Sequence, residues 1–344
     1  MANDDIRISF GDAIPDKSLG SAFGSISFTP PADPDLSFRV VLPRNWAQVA
    51  NLPAPTLQAD AFSLLAAYRE SDEISVQVFA TLLRFEVNLI DWLEFLAHRQ
   101  GFTLLNVKSA ETESGQTVHG VARAGDGAFL RFLTKGNGPK VVLLLGRAPF
   151  AAPDSVKEIL GLAAASFEFT HLHRQKTREL LEVFTDAGGL FQVLHPSSWS
   201  HDTEDSLRPA KGGVNFRLTS DTDTLAYLRV AADTRIPPTE SGMEQVFLLT
   251  VQEVEESGVV VDRLDPVPGG TLAKPKERWV GTCTLPSGKG EVALLFRRAP
   301  FGWLSAVMLC PGKTVNPVAW MRAKRAYEMV VASLSVPVVG TGQT

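Results

Sequence analysis

The sequence predicts an α+β protein: two tandem copies of one unit, each an antiparallel sheet flanked by helices in an α/β/α sandwich. Three observations predict it. The chain has 344 residues, which at roughly 100–200 residues per domain makes two domains. A motif recurs 153 residues apart, as Phe38-x-Val40-x-x-Pro43-x-x-Trp46 and Phe191-x-Val193-x-x-Pro196-x-x-Trp199. Within each copy, runs of strand-like segments are broken by helices at only two points, which argues α+β over alternating βαβ units.

The first copy reads as follows. After Trp46 comes alternating character around Val76-Gln77-Val78, the period of a half-buried strand. A helix follows: Asn88 can cap it, Asp91 lies in its first turn, and Gly101 can end it. Its apolar face carries Leu89, Trp92, Leu93 and Leu96. Three strand-like runs come next, Val118–Arg123, Phe129–Leu133 and Val141–Leu145, separated by Gly125-Asp126-Gly127 and Gly136-Asn137-Gly138. A last helix has Pro153 at its first turn and ends in Ala165-Ser166-Phe167.

The second copy repeats this order. Leu228-Arg229-Val230 alternates, and Ser241 with Glu244 forms a capping-box pattern. The helix that follows carries Met243, Phe247, Val251 and Val254, ends at Gly258 and is about one turn longer than its counterpart. Strand-like runs fall at Val280–Thr284, Val292–Phe296 and Leu304–Leu309, with Pro286-Ser287-Gly288 as a turn. The closing helix has Asn316 as cap, Pro317 in its first turn and the tag Ala332-Ser333-Leu334. The identical Arg147-Ala148-Pro149-Phe150 and Arg298-Ala299-Pro300-Phe301 fall at different places in the repeat, so their identity is coincidental. The copies span 23–170 and 185–336, with 171–184 a polar connector of some helical character and 1–22 and 337–344 as tails.

The opening Phe-x-Val-x-x-Pro-x-x-Trp and the closing helix with Ser166-Phe167 resemble the PsbP-like superfamily. This superfamily includes the oxygen-evolving-complex protein PsbP, a eukaryotic Ran-binding transport factor, and bacterial DcrB-like domains, among them Eag-type chaperones of type VI secretion effectors. The resemblance covers nearly the whole chain as two tandem PsbP-like domains, a departure from the single-domain pattern. It implies a binding or assembly protein with a protein partner, in the narrower case a secreted effector. It transfers no functional residue to this sequence.

Composition sets the outer limits. Hydrophobic residues at 44% and charged residues at 21% leave ample material for two cores. A net charge of -5 argues against a nucleic-acid partner. The N-terminus lacks the positive start and apolar run of a secretory signal, and apolar stretches such as Val141–Leu145 are too short to span a bilayer. The expectation is a cytoplasmic protein without a membrane span.

Candidate chemistry is sparse. Cys283 and Cys310 are too few for a zinc site. Buried thiols are the plain reading, and one disulfide between neighbouring strands is the alternative. Cys310-Pro311-Gly312-Lys313-Thr314 stands between a strand and a helix, the setting of a phosphate loop. Val307 replaces the needed first glycine, so a tight turn is expected. His171-x-His173 could offer two metal ligands but lies in the connector, and His201-Asp202 with Ser198 lacks a nucleophile signature. No catalytic residue, cofactor or metal is therefore assigned. Trp46 and Trp199 are expected as core anchors, and Arg322, Lys324 and Arg325 as one face of an amphipathic helix. Partner-binding candidates are Phe95, on the first helix, and an exposed Phe301–Trp303 pair after a turn. The leading reading is a non-enzymatic adaptor, chaperone or assembly subunit, which requires an exposed apolar groove or patch. The alternative is a small-molecule-binding protein or hydrolase with a site at the domain interface, containing His195, His201 or Asp202.

Overall fold

In the computed structural model the described residues are 21–30, 33–50, 52, 57–58, 61–112, 115–202, 211–220, 223–267 and 277–337. The predicted tails thus lie almost wholly outside them. The chain divides into two compact units, Met1–Arg178 and Glu179–Thr344.

The first unit runs β1 (Phe23–Phe28), β2 (Phe38–Pro43), β3 (Ala47–Gln48), β4 (Ser63–Arg69), β5 (Ser75–Leu82), α1 (Leu89–Arg99), β6 (Thr103–Thr112), β7 (Gly115–Arg123), β8 (Phe129–Asn137), β9 (Lys140–Ala148), α2 (Asp154–Ser166) and β10 (Glu168–Phe169). The second runs β11 (Leu181–Thr185), β12 (Gln192–Pro196), β13 (Ser200–Asp202), β14 (Lys211–Ser220), β15 (Asp223–Asp233), α3 (Glu240–Glu256), β16 (Val260–Pro266), β17 (Arg278–Leu285), β18 (Gly288–Ala299), β19 (Gly302–Pro311) and α4 (Pro317–Ser333). Each unit holds a seven-stranded sheet, ordered β3-β4-β5-β9-β8-β7-β6 and β13-β14-β15-β19-β18-β17-β16. Every pairing in them is antiparallel. A small sheet accompanies each, β1-β2-β10 in the first unit and β11-β12 in the second. Apart from β10, which has no counterpart strand among the described residues of the second unit, the same element order twice over is the predicted α+β duplication.

Residues paired across neighbouring strands share a face, and successive residues face opposite ways. Gly120, Phe132 and Leu145 are paired in sequence across β7, β8 and β9, so they share one face. A Cβ at Gly120 would touch Leu93 of α1, so α1 covers that face. Gly146 points the other way and is met by Leu160 of α2. The second unit matches this. Phe247 of α3 packs on Phe296, and Val246 and Val254 join Val292 and Leu294 in one core. Trp320 of α4 reaches Glu291 on the opposite face, its indole N–H donating at 2.7 Å. The central strands are therefore buried on both sides, which explains the unbroken apolar run of Val141–Leu145.

The small sheet backs the closing helix. Phe38, Val40 and Leu42 on β2 pack with Leu160, Ala163 and Phe167 in one core. Phe38 stacks on Phe28 and Phe167 at 5.2 and 5.1 Å between ring centres. The serines of the two helix tags fasten this layer. Ser166 Oγ accepts from Val41 N–H at 2.9 Å, and Ser333 Oγ accepts from Leu194 N–H at 2.8 Å. Val41 and Leu194 are themselves 153 residues apart, so the repeat conserves the clamp atom for atom. The motif prolines and tryptophans also keep one role: Trp46 N–H donates to Pro43 and Trp199 N–H to Pro196, and both indoles are buried.

Several expectations need correction. Asn88 precedes α1 but its side chain makes no cap bond; Leu89 N–H is met by Gln116 of β7 instead. In α3 the cap is Thr239, which accepts from Gly242 N–H at 3.1 Å, so Ser241 lies inside the helix. Two residues after Pro237, Thr239 holds the extended backbone a cap needs. The sequence reading also missed β6 and β16, polar edge strands with little alternation. Cys283 and Cys310 are free and cannot bridge, because β18 lies between their strands. Two strand spacings of about 4.8 Å exceed the disulfide limit.

The connector is not helical. Residues 171–178 are bound to the first unit through Asn137, whose amide donates to the carbonyls of Asp35 at 2.7 Å and His171 at 3.0 Å and accepts from His173 N–H at 2.8 Å. Arg178 ends this strap in a buried ion pair with Glu86 at 3.4 Å. The rest of the supposed connector, from Leu181, is strand β11. The strap crosses the β8–β9 turn so closely that a Cβ at Gly138, at φ 62°, would stand 2.6 Å from His173 Nδ1.

The clamp and the strap make testable claims. Ser333→Ala and Ser166→Ala each leave a backbone N–H without its acceptor and should cost about 1–3 kcal/mol in urea unfolding. Gly138→Ala should lower stability by more than its left-handed backbone cost of about 1 kcal/mol, because it also displaces the strap.

Candidate functional site

The second unit contains a cavity of about 510 Å³. It opens between the C-terminal half of α3, the start of β15, strand β19 and the β17–β18 turn. Its walls include Val254, Val259, Leu285, Val307 and Leu309, with Ala226 also lining it and the exposed Pro286 at its edge. Its polar groups are Tyr227, Arg229, Thr250 and Glu253, with Thr224, Ser257 and Ser287 at the exposed rim. Arg229 donates to Glu253 at 2.7 Å, and the Tyr227 hydroxyl donates to Asn215. The cavity exists because α3 runs 17 residues against 11 for α1. The added length carries Glu253, Val254 and then Ser257 out over the sheet.

The first unit has no such wall chemistry at the matching place. The paired residues Tyr227 and Leu309 correspond to Ser75 and Arg147. Arg147 pairs with Asp126 at the tip of the β7–β8 turn, where the second unit presents Leu285 and Pro286. An ion pair in one copy has become an aliphatic wall in the other.

The residues singled out from sequence lie elsewhere. Trp303 is only 1% exposed and belongs to the α3-side core, its indole N–H donating to Pro237 at 2.9 Å. It is therefore no surface anchor: the turn at Gly302 sends the side chain inward, against Ile236 and Phe296. Phe301, in that turn, and Phe95, on α1, are half-buried. None of the three lines the cavity. The one sequence signal that pointed to it was the extra length of the second helix.

The histidines form packing clusters. His195 is buried against Phe216, ring centres 4.6 Å apart, with His201 at 5.7 Å. Its Nδ1 bonds to Pro196 carbonyl and its Nε2 lies 3.9 Å from Glu182. Burial holds its pKa below the ordinary value, against the opposing pull of Pro196 and Glu182. His173 lies 3.9 Å from Asp35, but Lys140 already bridges Asp33 and Asp35 at 2.5 and 2.9 Å. Among the described residues no group of three His, Cys, Asp or Glu could hold a metal ion. Cys310 and Pro311 end β19 and the chain turns from Gly312: Gly312 N–H donates to Lys289, and Val315 and Asn316 N–H both donate to Gly312. Asn316 caps Ala319 at 3.1 Å, so these donors are turned to the protein's own carbonyls. Burial pushes the Cys283 thiol up to about 11 and raises Cys310 as well, so neither is a ready nucleophile. Among the described residues no helix is long and apolar enough to cross a membrane.

No protein-family model and no curated protein matches this sequence. Solved structures of similar fold do. Cyanobacterial PsbP from Synechocystis is 14% identical, covering 47% of this chain and 98% of its own, at a TM-score of 0.33. The Ran-binding protein Mog1p of Saccharomyces cerevisiae is 10% identical, covering 46% of this chain and 96% of its own, at 0.32. The T6SS immunity protein TplEi of Pseudomonas aeruginosa is 14% identical, covering 92% of this chain and 98% of its own, at 0.23. The likeness is to fold alone.

His119, on β7, should give the first unit a measurable acid sensitivity. Burial and the nearby Arg131 and Lys135 lower its pKa to about 4. The unfolded chain therefore takes up a proton below pH 6.5 that the folded chain refuses until about pH 4. Stability should fall as pH drops through that window and be unaffected by this group above it. Urea unfolding from pH 7 to 4.5 should show the slope, and His119→Gln should flatten it.

Proposed function

We propose that this chain is a non-enzymatic protein-binding adaptor, chaperone or assembly subunit, working in the cytoplasm through its second unit. One observation carries this. Among the described residues, the large aliphatic ones exposed by 60% or more are Leu180, Val183, Leu248 and Val260, all in the second unit. Leu180 and Val183 stand three residues apart, just before and within β11. Val183 pairs with Leu194 on the outer face of the small sheet, beside Leu181. The corresponding pair in the first unit is Ser25 with Val41. One copy has a polar residue where the other has an aliphatic one, the pattern of a surface kept for contact.

The geometry also favours an extended partner segment. Among the described residues the outer edge of β11 pairs with no strand, and its backbone N–H and C=O groups can accept another strand. Aliphatic side chains on the outer face would then supply the contact area. A secreted effector as client is the narrower form of this reading, and a secretion component among the gene's neighbours would support it. The alternative put a small-molecule site at the domain interface; the cavity under α3 lies within the second unit and shares no residue with Leu180 and Val183. For a hydrolase, His201 and Asp202 lie on β13 and His195 is enclosed by aromatic rings, and none of them lines the cavity.

The double substitution Leu180→Asp with Val183→Asp should abolish capture of the native partner from cell extract while leaving circular dichroism and unfolding unchanged. Undiminished capture by a folded double variant would move the binding surface elsewhere.

A further inference from the structure

We infer that the cavity under α3 is a binding site for a small amphipathic molecule with an aliphatic body and an uncharged polar head. Its volume of about 510 Å³ falls within the roughly 300–1,000 Å³ of small-molecule pockets. Its wall includes the aliphatic Val254, Val259, Leu285, Val307 and Leu309, and its two charged side chains, Arg229 and Glu253, pair at 2.7 Å, with Thr250 also lining it. Such a lining suits a ligand with one apolar end and one polar end.

The charges decide the kind of head. The cavity is lined by one cation and one anion, already joined. An anionic head would have to compete with Glu253 for Arg229, and a cationic head with Arg229 for Glu253. Removing one member of a partly buried pair leaves the other poorly compensated. A hydroxyl or amide head avoids this, since it can accept from the guanidinium and donate to the carboxylate together. The comparison between units separates this site from a chance gap. The matching place in the first unit carries the ion pair of Arg147 and Asp126, whereas the second unit has Leu309, Leu285 and Pro286 there and a longer helix above. Three separate changes converge on one apolar hollow.

The test uses the full chain and the neutral fluorescent probe N-phenyl-1-naphthylamine. Saturable one-to-one binding is expected, with decanol displacing the probe and decanoate and decylamine each roughly tenfold weaker. Ser257→Trp, at the exposed rim, and Leu309→Trp, on the wall, should each weaken the probe by about tenfold or more. Should Leu309→Trp fail to fold, Ser257→Trp decides alone. Binding that does not saturate, or that a folded Ser257→Trp leaves unchanged, overturns the site. Decanoate or decylamine displacing better than decanol overturns the uncharged head. Leu180→Asp with Val183→Asp should bind the probe as the parent does, which keeps this outcome apart from that of the protein-binding surface.

Discussion

A seven-stranded sheet with apolar residues on both faces must be covered twice, and each unit is arranged around that constraint. One helix covers each face, α1 and α2 in the first unit, α3 and α4 in the second. The closing helix then has an apolar back of its own. The small sheet buries it, through Phe38, Val40 and Leu42 in the first unit. A layer added behind a helix must be held in register. The serine at the helix end does this by taking the one strand N–H that points at it. Such a bond adds only about 1 kcal/mol, but losing it strands a buried donor. The clamp therefore sets position more than it adds net stability.

Duplication let the two units part ways where the sheet did not depend on them. The core positions remain matched: Phe38 with Phe191, Val40 with Val193, Trp46 with Trp199. The differences gather at the periphery of the second unit. Its first helix is longer, Leu285 and Pro286 stand where β17 turns into β18, and its small sheet carries Val183 where the first has Ser25. None of these changes disturbs a central strand. The first unit invests its polar residues otherwise. Asn137, Lys140 and Glu86 hold the strap 171–178 and the segment before β2, and fix where this unit ends.

The division in two, the α+β class and the element order were legible because each rests on local patterns: periodicity, caps and turns repeated at one spacing. The Ser166 and Ser333 tags were visible as similar words, though not as hydrogen-bond acceptors. The edge strands β6 and β16 were illegible because a strand bonded on one side tolerates polar residues on both faces. Trp303 misled for a related reason. A tryptophan after a Pro-Phe-Gly turn reads as exposed, but whether a turn aims its next side chain in or out depends on the packing beneath it.

Sequence alone therefore determined that one unit is used twice, and which residues form each unit's frame, since those follow from patterns within a few residues of one another. Tertiary structure alone decided that residues 171–178 of the connector belong to the first unit and the rest to the second, that the two cysteines are kept apart by β18, and that a hollow lies under α3. Each of these depends on residues far apart in the chain meeting in space. The cavity shows the reason most plainly. Leu309, Leu285 and Val254 are ordinary core residues in sequence, and only their arrangement around an overhanging helix leaves space between them.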